Sequence, residues 1–252
     1  MIKLKHEGKS ISIPQIWSEV KFWQYNKLKG VSDPNLIISV FTGLEMSMVE
    51  KLAPQSKSMI ILALQFITKP LIADELNCPD QIKLNGEMFK SKVDIMEETL
   101  FQKVELQNMV TSKDFNIERD CINIVELYMQ GKITGKKYDP NFTESTIKVI
   151  SDDILLVDAY GIAMDIIRQI RGQLEIESKV LRSSYTSEQI RAGIMMFDQY
   201  KHMNIVKALA GGDILKYNDV LMLDYNTVFL HLRMSKTESD YQKAYNKIMS
   251  KK

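Results

Sequence analysis

Residues 37–64 and 205–232 carry one pattern twice. IISVFTGLEMSMVEKLAPQSKSMIILAL lies without a gap on IVKALAGGDILKYNDVLMLDYNTVFLHL, so that Gly43 meets Gly211, Glu45 meets Asp213, Met46 meets Ile214 and Leu52 meets Val220. Ile60, Ile61, Leu62 and Leu64 then fall on Val228, Phe229, Leu230 and Leu232. The shared order is helix, glycine stop, acidic restart, apolar helix. Glycine ends a helix because it takes the left-handed C′ conformation without Cβ strain. An acidic residue at the restart caps free N–H groups and offsets the helix dipole. A short aromatic phrase stands upstream of each copy, Phe22-Trp23-Gln24-Tyr25 and Phe197-Asp198-Gln199-Tyr200. These are packing instructions, and no set of reactive groups repeats with them.

The rest of the chain follows the same helical logic. The fold class expected is mainly α, a multi-helix bundle in two or three sections, with small β-hairpins near the N-terminus and around residues 82–89. Ile2 to His6 and Ser10 to Ile13 alternate apolar and polar residues around Glu7-Gly8. Asn85-Gly86, between Ile82-Lys83-Leu84 and Glu87-Met88-Phe89, fits a type I′ turn. Helices are predicted over 22–29, 35–42, 45–52, 56–67, 99–110, 117–130, 143–150, about 153–177, 187–200, 204–210, 216–222, 226–234 and 238–249. Pro54 reads as a stop, 56–67 as a buried central helix with apolar residues almost all round, and 131–140 as a polar loop. Gly161, among Ala159, Ile162 and Ala163, implies close approach of a neighbouring helix. The expected sections are 1–92, an N-terminal hairpin plus helical part, 93–183, a middle helical part, and 184–252, a C-terminal part resembling 22–64.

Composition narrows function. A formal net charge of +1 over 252 residues provides no global field to gather nucleic acid or an acidic substrate. The local basic groups, Lys132 with Lys136 and Lys137, and Lys251-Lys252, read as solvated loop and tail charge. Cys78 and Cys121 lack zinc-site spacing and read as reduced, inert thiols. The N-terminus reads as strand in place of a signal sequence, and the longest apolar run, 59–67, is too short to span a membrane. The three histidines, His6, His202 and His231, have no metal-ligand spacing, and GxxxxGKS, GxGxxG, HExxH and GxSxG are absent. Gly211-Gly212-Asp213 follows a helix and reads as a stop, not a phosphate cradle. Glu97-Glu98 and Asp152-Asp153 read as helix-start carboxylates. The expectation is a protein with no catalytic, cofactor-binding or metal-ligating residues, and no nucleic-acid or membrane partner.

Candidate contact residues come from two compositional features. Fifteen methionines are many for this length, and flexible thioethers fill irregular cores or serve surfaces that accept varied partners. Both readings stand for Met46, Met48, Met195 and Met196. Trp17, Trp23 and Tyr25, crowded around one short helix, pose the same choice, with Tyr200 in the second aromatic phrase. One aromatic face buried and one available for contact is the favoured arrangement.

The opening SISIPQIWSEVKFWQYNKLKG, followed by a helix ending in LIISVFTGLEMSMVEKL, resembles proteins encoded in the tail-gene clusters of tailed bacteriophages. TLFQKVELQNM, INIVELYMQ, the tyrosine loop KKYDP, LLVDAYGIAMDII and AGIMMFDQYKHMNIVKALAGGDILKYNDVLMLDYNTVFLHL extend the likeness over most of the chain. The resemblance implies a non-enzymatic tail or baseplate assembly protein, similar to a tail assembly chaperone. Its implied partners are other phage tail proteins, such as tape-measure, hub or baseplate subunits. It would act in the host cytoplasm during assembly. The alternative is a structural ring, connector or baseplate subunit retained in the virion, and a homo-oligomer stays open in either case.

Overall fold

The computed structural model describes residues 2–6, 9–71, 76–139, 150–182 and 185–250. The protein is mainly α. Among the described residues its α-helices include, in chain order, α1 (Phe22–Leu28), α2 (Pro34–Thr42), α3 (Met46–Lys51), α4 (Pro54–Ala63), α5 (Leu100–Val110), α6 (Ile117–Thr134), α7 (Leu156–Val180), α8 (Ser187–Arg191), α9 (Met203–Leu209), α10 (Tyr217–Leu221) and α11 (Tyr225–Met249). Two antiparallel hairpins accompany them, β1 (Ile2–His6) with β2 (Lys9–Ile13), and β3 (Gln81–Leu84) with β4 (Glu87–Lys90). Asn85 at φ 49° and Gly86 at φ 89° supply the two positive φ angles of the expected turn.

The chain divides into two compact units, one from the described residues of 1–93, 116–135 and 140–165, the other from 94–115, 136–139 and 166–252. The leading stretch of the first unit ends at residue 93. Residues 93–183, expected as one middle section, are instead shared between the units. The reason is burial: α5 packs its apolar face with α10 and α11, which are distant from it in sequence.

Each unit ties a pair of helix starts together in the same way. In the first, the N–H of Phe22 donates to the Ile154 carbonyl (3.0 Å) and that of Leu156 to the Val20 carbonyl (2.8 Å), so α1 and α7 begin side by side. In the second, the N–H of Leu100 donates to Leu223 and that of Tyr225 to Glu98, both at 2.8 Å, which starts α5 and α11 together. Each bond satisfies a first-turn donor that its own helix leaves unpaired.

The duplicated passage folds twice. α2, Gly43, α3 and α4 in the first unit match α9, Gly211, the turn into α10, and α11 in the second. Gly43 and Gly211 close their helices at φ 72° and 63°. The aligned pairs Ile38 and Val206, and Ile60 and Val228, are all buried. The aromatic phrases do not match in this way. Phe22 is buried in α1, whereas Phe197 is exposed in a 3₁₀ helix, Ile194–Tyr200.

Several element boundaries differ from expectation. Pro54 opens α4 at its first position, where a missing N–H costs nothing, and does not act only as a stop. The helix expected over 56–67 ends at Ala63 and exposes Met59 and Leu62, so it is peripheral and not central. Gly131 is helical, and α6 runs on to Thr134 before Gly135, at φ 65°, caps it. The segment 187–200 breaks at Gly193, at φ 84°. The two helices expected over 226–249 are one, because Ser235 to Thr237 contains no breaker. The helix expected at 143–150 lies, apart from Ile150, outside the described residues.

Candidate partner-binding surfaces

In the first unit, Pro14 ends the hairpin and a 3₁₀ turn, Trp17–Glu19, brings Trp17 onto the α1 aromatics. The indole N–H of Trp17 donates to the Lys69 carbonyl at 3.2 Å. Its ring meets Phe66 edge-on at 5.1 Å and Tyr25 at 5.9 Å. Tyr25 in turn meets Tyr160 at 6.5 Å. Trp17 and Tyr25 therefore share a wall, half-buried, of a cleft of about 270 Å³ completed by Leu28, Val31, Ile37 and Phe41, with Lys29 at the rim. Edge-to-face contacts of this kind fix ring positions beyond what burial alone would do. Trp23 is half-buried on the same helix but does not line that cleft. Met46 is exposed and Met48 half-buried on α3, and neither lines the cleft.

The second unit presents a softer surface. Gly193 turns the chain into the 3₁₀ helix that carries Met195, Met196, Phe197 and Tyr200, all four exposed. Phe197 and Tyr200, with Met203, Asn204, Lys207 and Tyr217, line a cleft of about 450 Å³. Asn204 holds the segment by donating to the Phe197 carbonyl at 2.7 Å. Beneath this surface, Leu100, Val104, Val206, Ala210, Val220, Tyr225, Val228 and Phe229 form the core of the unit.

Lys103 and Asp153 have structural partners within their units. Lys103, only 3% exposed, reaches Glu177 at 2.7 Å and Gln107 at 2.7 Å, and its ammonium sits 4.3 Å from the Tyr225 ring centroid. Burial pulls the Lys103 pKa down, and the Glu177 carboxylate opposes that shift. Asp153 bridges segments of the first unit, accepting from Lys21 at 2.6 Å and from the Asn85 N–H at 2.7 Å; the Lys21 hydrogen bond holds its pKa below the ordinary carboxylate range. So Asp153, expected as a helix-start carboxylate, serves instead as a tie between segments. Glu126 is buried, its Oε1 has no hydrogen-bond partner, and desolvation pushes its pKa up to about 8.

Burial also raises both thiols, Cys78 to about 11 and Cys121 further, so neither is a thiolate at neutral pH. Among the described residues no group of three or more His, Cys, Asp or Glu side chains is placed to hold a metal ion, and no helix is long and apolar enough to cross a membrane.

The structure thus brings Trp17 and Tyr25 together in one unit and carries Met195, Met196 and Tyr200 on one short segment of the other, while Trp23, Met46 and Met48 of the first unit do not line the Trp17–Tyr25 cleft. Sequence reasoning missed the exposed apolar stripe of α11, whose residues include Leu230, Met234 and Tyr241. The signal was present as Leu230, Met234, Tyr241, Tyr245 and Ile248 recurring along one side of the segment, hidden by reading the helix as two. No family model, curated protein or solved structure matches this chain.

Proposed function

We propose that the protein is a phage tail or baseplate assembly factor that acts by binding other tail proteins rather than by catalysis. One observation carries this reading: Met195, Met196, Phe197 and Tyr200 stand exposed together, beside a cleft that also offers Met203 and Tyr217. Exposed thioethers and rings on short helices accept the apolar face of an amphipathic helix, and flexible methionines let one groove suit more than one partner. The resemblance of the sequence to proteins of tail-gene clusters supplies the class of partner. A tape-measure or hub protein with long apolar helices is the kind of partner that resemblance implies.

The test is co-expression with the tail proteins encoded beside it, followed by affinity capture and mass spectrometry. Capture of a tail protein by the wild type, lost in Met195→Ser/Met196→Ser/Phe197→Ser while the melting temperature holds, is the expected result. Capture of no tail protein, or capture indifferent to the triple substitution, sinks the reading. Recovery of the chain from purified particles at a symmetric copy number would favour the structural alternative.

A further inference from the structure

The C-terminal helix α11 carries two apolar faces, and only one of them is used. Tyr225, Val228 and Phe229 are buried in the core of the second unit, and Leu232 packs against it. Past Leu232 that same side of the helix turns polar, with Lys236, Ser239, Lys243 and Asn246. The other apolar face lies roughly 170° round the helix, at ~100° per residue, and it continues through the last turns. Leu230, Met234, Tyr241, Tyr245 and Ile248 are between 45% and 65% exposed along it. From residue 233 to residue 250 every residue except Lys236 is exposed, so the last turns stand away from the core.

The spacing of this second face is a heptad. Met234, Tyr241 and Ile248 recur at intervals of seven, the a positions, and Leu230, Thr237 and Ala244 stand at d. A stripe at 3.5-residue spacing is covered by another helix winding along it, because the slight underwinding keeps the seam facing its partner. The helix is already supported for that role: Lys236 pairs with Asp240, Gln242 donates to Asn246 at 3.1 Å, and the Tyr241 and Tyr245 rings stack at 6.2 Å.

Flanking charge selects the occupant. With a second copy in parallel register, Arg233 at g faces Glu238 at e of the partner copy, and the symmetry makes this attraction twice. Asp240 at g faces Tyr245 at e, a hydroxyl donor for a carboxylate. In the antiparallel register that pairs a with d, the same flanks bring together Glu238 with Glu238, Asp240 with Asp240, and Arg233 with Lys247. Every charged pair is then of like sign. Among the described residues Glu238 has no ion-pair partner within the chain. We propose that residues 230–249 pair with the same segment of a second copy as a parallel, two-stranded coiled coil. The proposal does not depend on the assembly reading above.

Sedimentation velocity on the full chain across the micromolar range tests it. The wild type should pass reversibly from monomer to dimer as concentration rises. Arg233→Glu and Glu238→Arg should each weaken dimerisation about tenfold or more, since both flanking pairs become repulsive. Mixing the two variants should restore a dimer, because the chain whose flanks are both acidic then faces the chain whose flanks are both basic. Ala244→Cys should cross-link to itself under mild oxidation, as a d residue does in parallel register, with the wild type as control for Cys78. Circular dichroism checks that each variant keeps its helix content. A chain that stays monomeric at all concentrations, a trimer, a dimer indifferent to Met234→Glu/Ile248→Glu, or no rescue on mixing would each overturn the proposal.

Discussion

The carbonyl oxygen of Asn77 lies 2.3 Å from where a Cβ on Gly161 would stand, and the Asn77 carbonyl carbon lies 2.9 Å from it. Gly161 therefore lets the segment around residue 77 run directly against α7. The sequence pattern of small residues there predicted close approach, and the approach is real, but its partner is backbone outside any helix or strand. Backbone has no rotamer with which to move aside. Gly161→Ala should cost about 1–3 kcal/mol through forced separation of the two segments, although alanine is the better helix former. Chemical denaturation of the variant reads the cost; a stabilised protein would mean the contact is loose.

Lys103 and Glu177 form a buried pair in the second unit, with Tyr225 donating its hydroxyl to the same carboxylate at 2.5 Å. Lys103→Met alone strands a half-desolvated carboxylate and should cost on the order of 3 kcal/mol. Lys103→Met/Glu177→Met removes both charges and should recover most of that loss. The double-mutant cycle, read by urea melts, is the check. Single costs that simply add would show that the pair is not coupled.

How far the fold was legible in the sequence depended on whether a signal was local. Asp33-Pro34 opens α2, with the Asp33 carboxylate accepting from the Asn35 N–H at 2.9 Å, and Gly43 closes it. Thr99 likewise caps α5 by accepting from the Gln102 N–H. Caps and turns are written in neighbouring residues, so they were visible. What was not visible depended on distant partners. Asp153 looks like a helix-start carboxylate until Lys21 and Asn85 arrive from elsewhere in the chain. Trp17, offered as a contact residue, is held by Lys69, Phe66 and Tyr25, two of them about fifty residues away. Met195 and Met196, named from the methionine content, and Tyr200, named from the second aromatic phrase, are exposed, yet the same methionine content marks Met129, which is buried.

Glu126 makes stability depend on pH. Its folded pKa, about 8, lies above the ordinary value of 4.5 because burial disfavours the carboxylate. The folded state therefore binds a proton more tightly than the unfolded state does. The contribution is fully present below pH 4.5 and is lost as pH rises through 8. Glu126→Gln, neutral throughout, should gain stability relative to the wild type between those limits, by on the order of a few kcal/mol. Parallel denaturant titrations at acid and alkaline pH measure the gain. A difference between the two proteins that does not change with pH would show that Glu126 stays ionised in the fold.

The aromatic residues around α1 should separate by how firmly each is held. Phe22 is almost fully buried, and Phe22→Ala should cost about 3–5 kcal/mol as a core truncation. Trp17 is half-buried but makes one hydrogen bond and two edge-on ring contacts, so Trp17→Ala should cost less, on the order of 2 kcal/mol. Trp23 is half-buried on the same helix, without a place in the Trp17–Tyr25 cleft. Trp23→Ala should have the smallest effect on melting temperature of the three. If Trp23 meets a partner, the same substitution should weaken capture of that partner while the fold persists. A melting temperature lowered as far by Trp23→Ala as by Phe22→Ala would make Trp23 a packing residue and remove it from the contact surface.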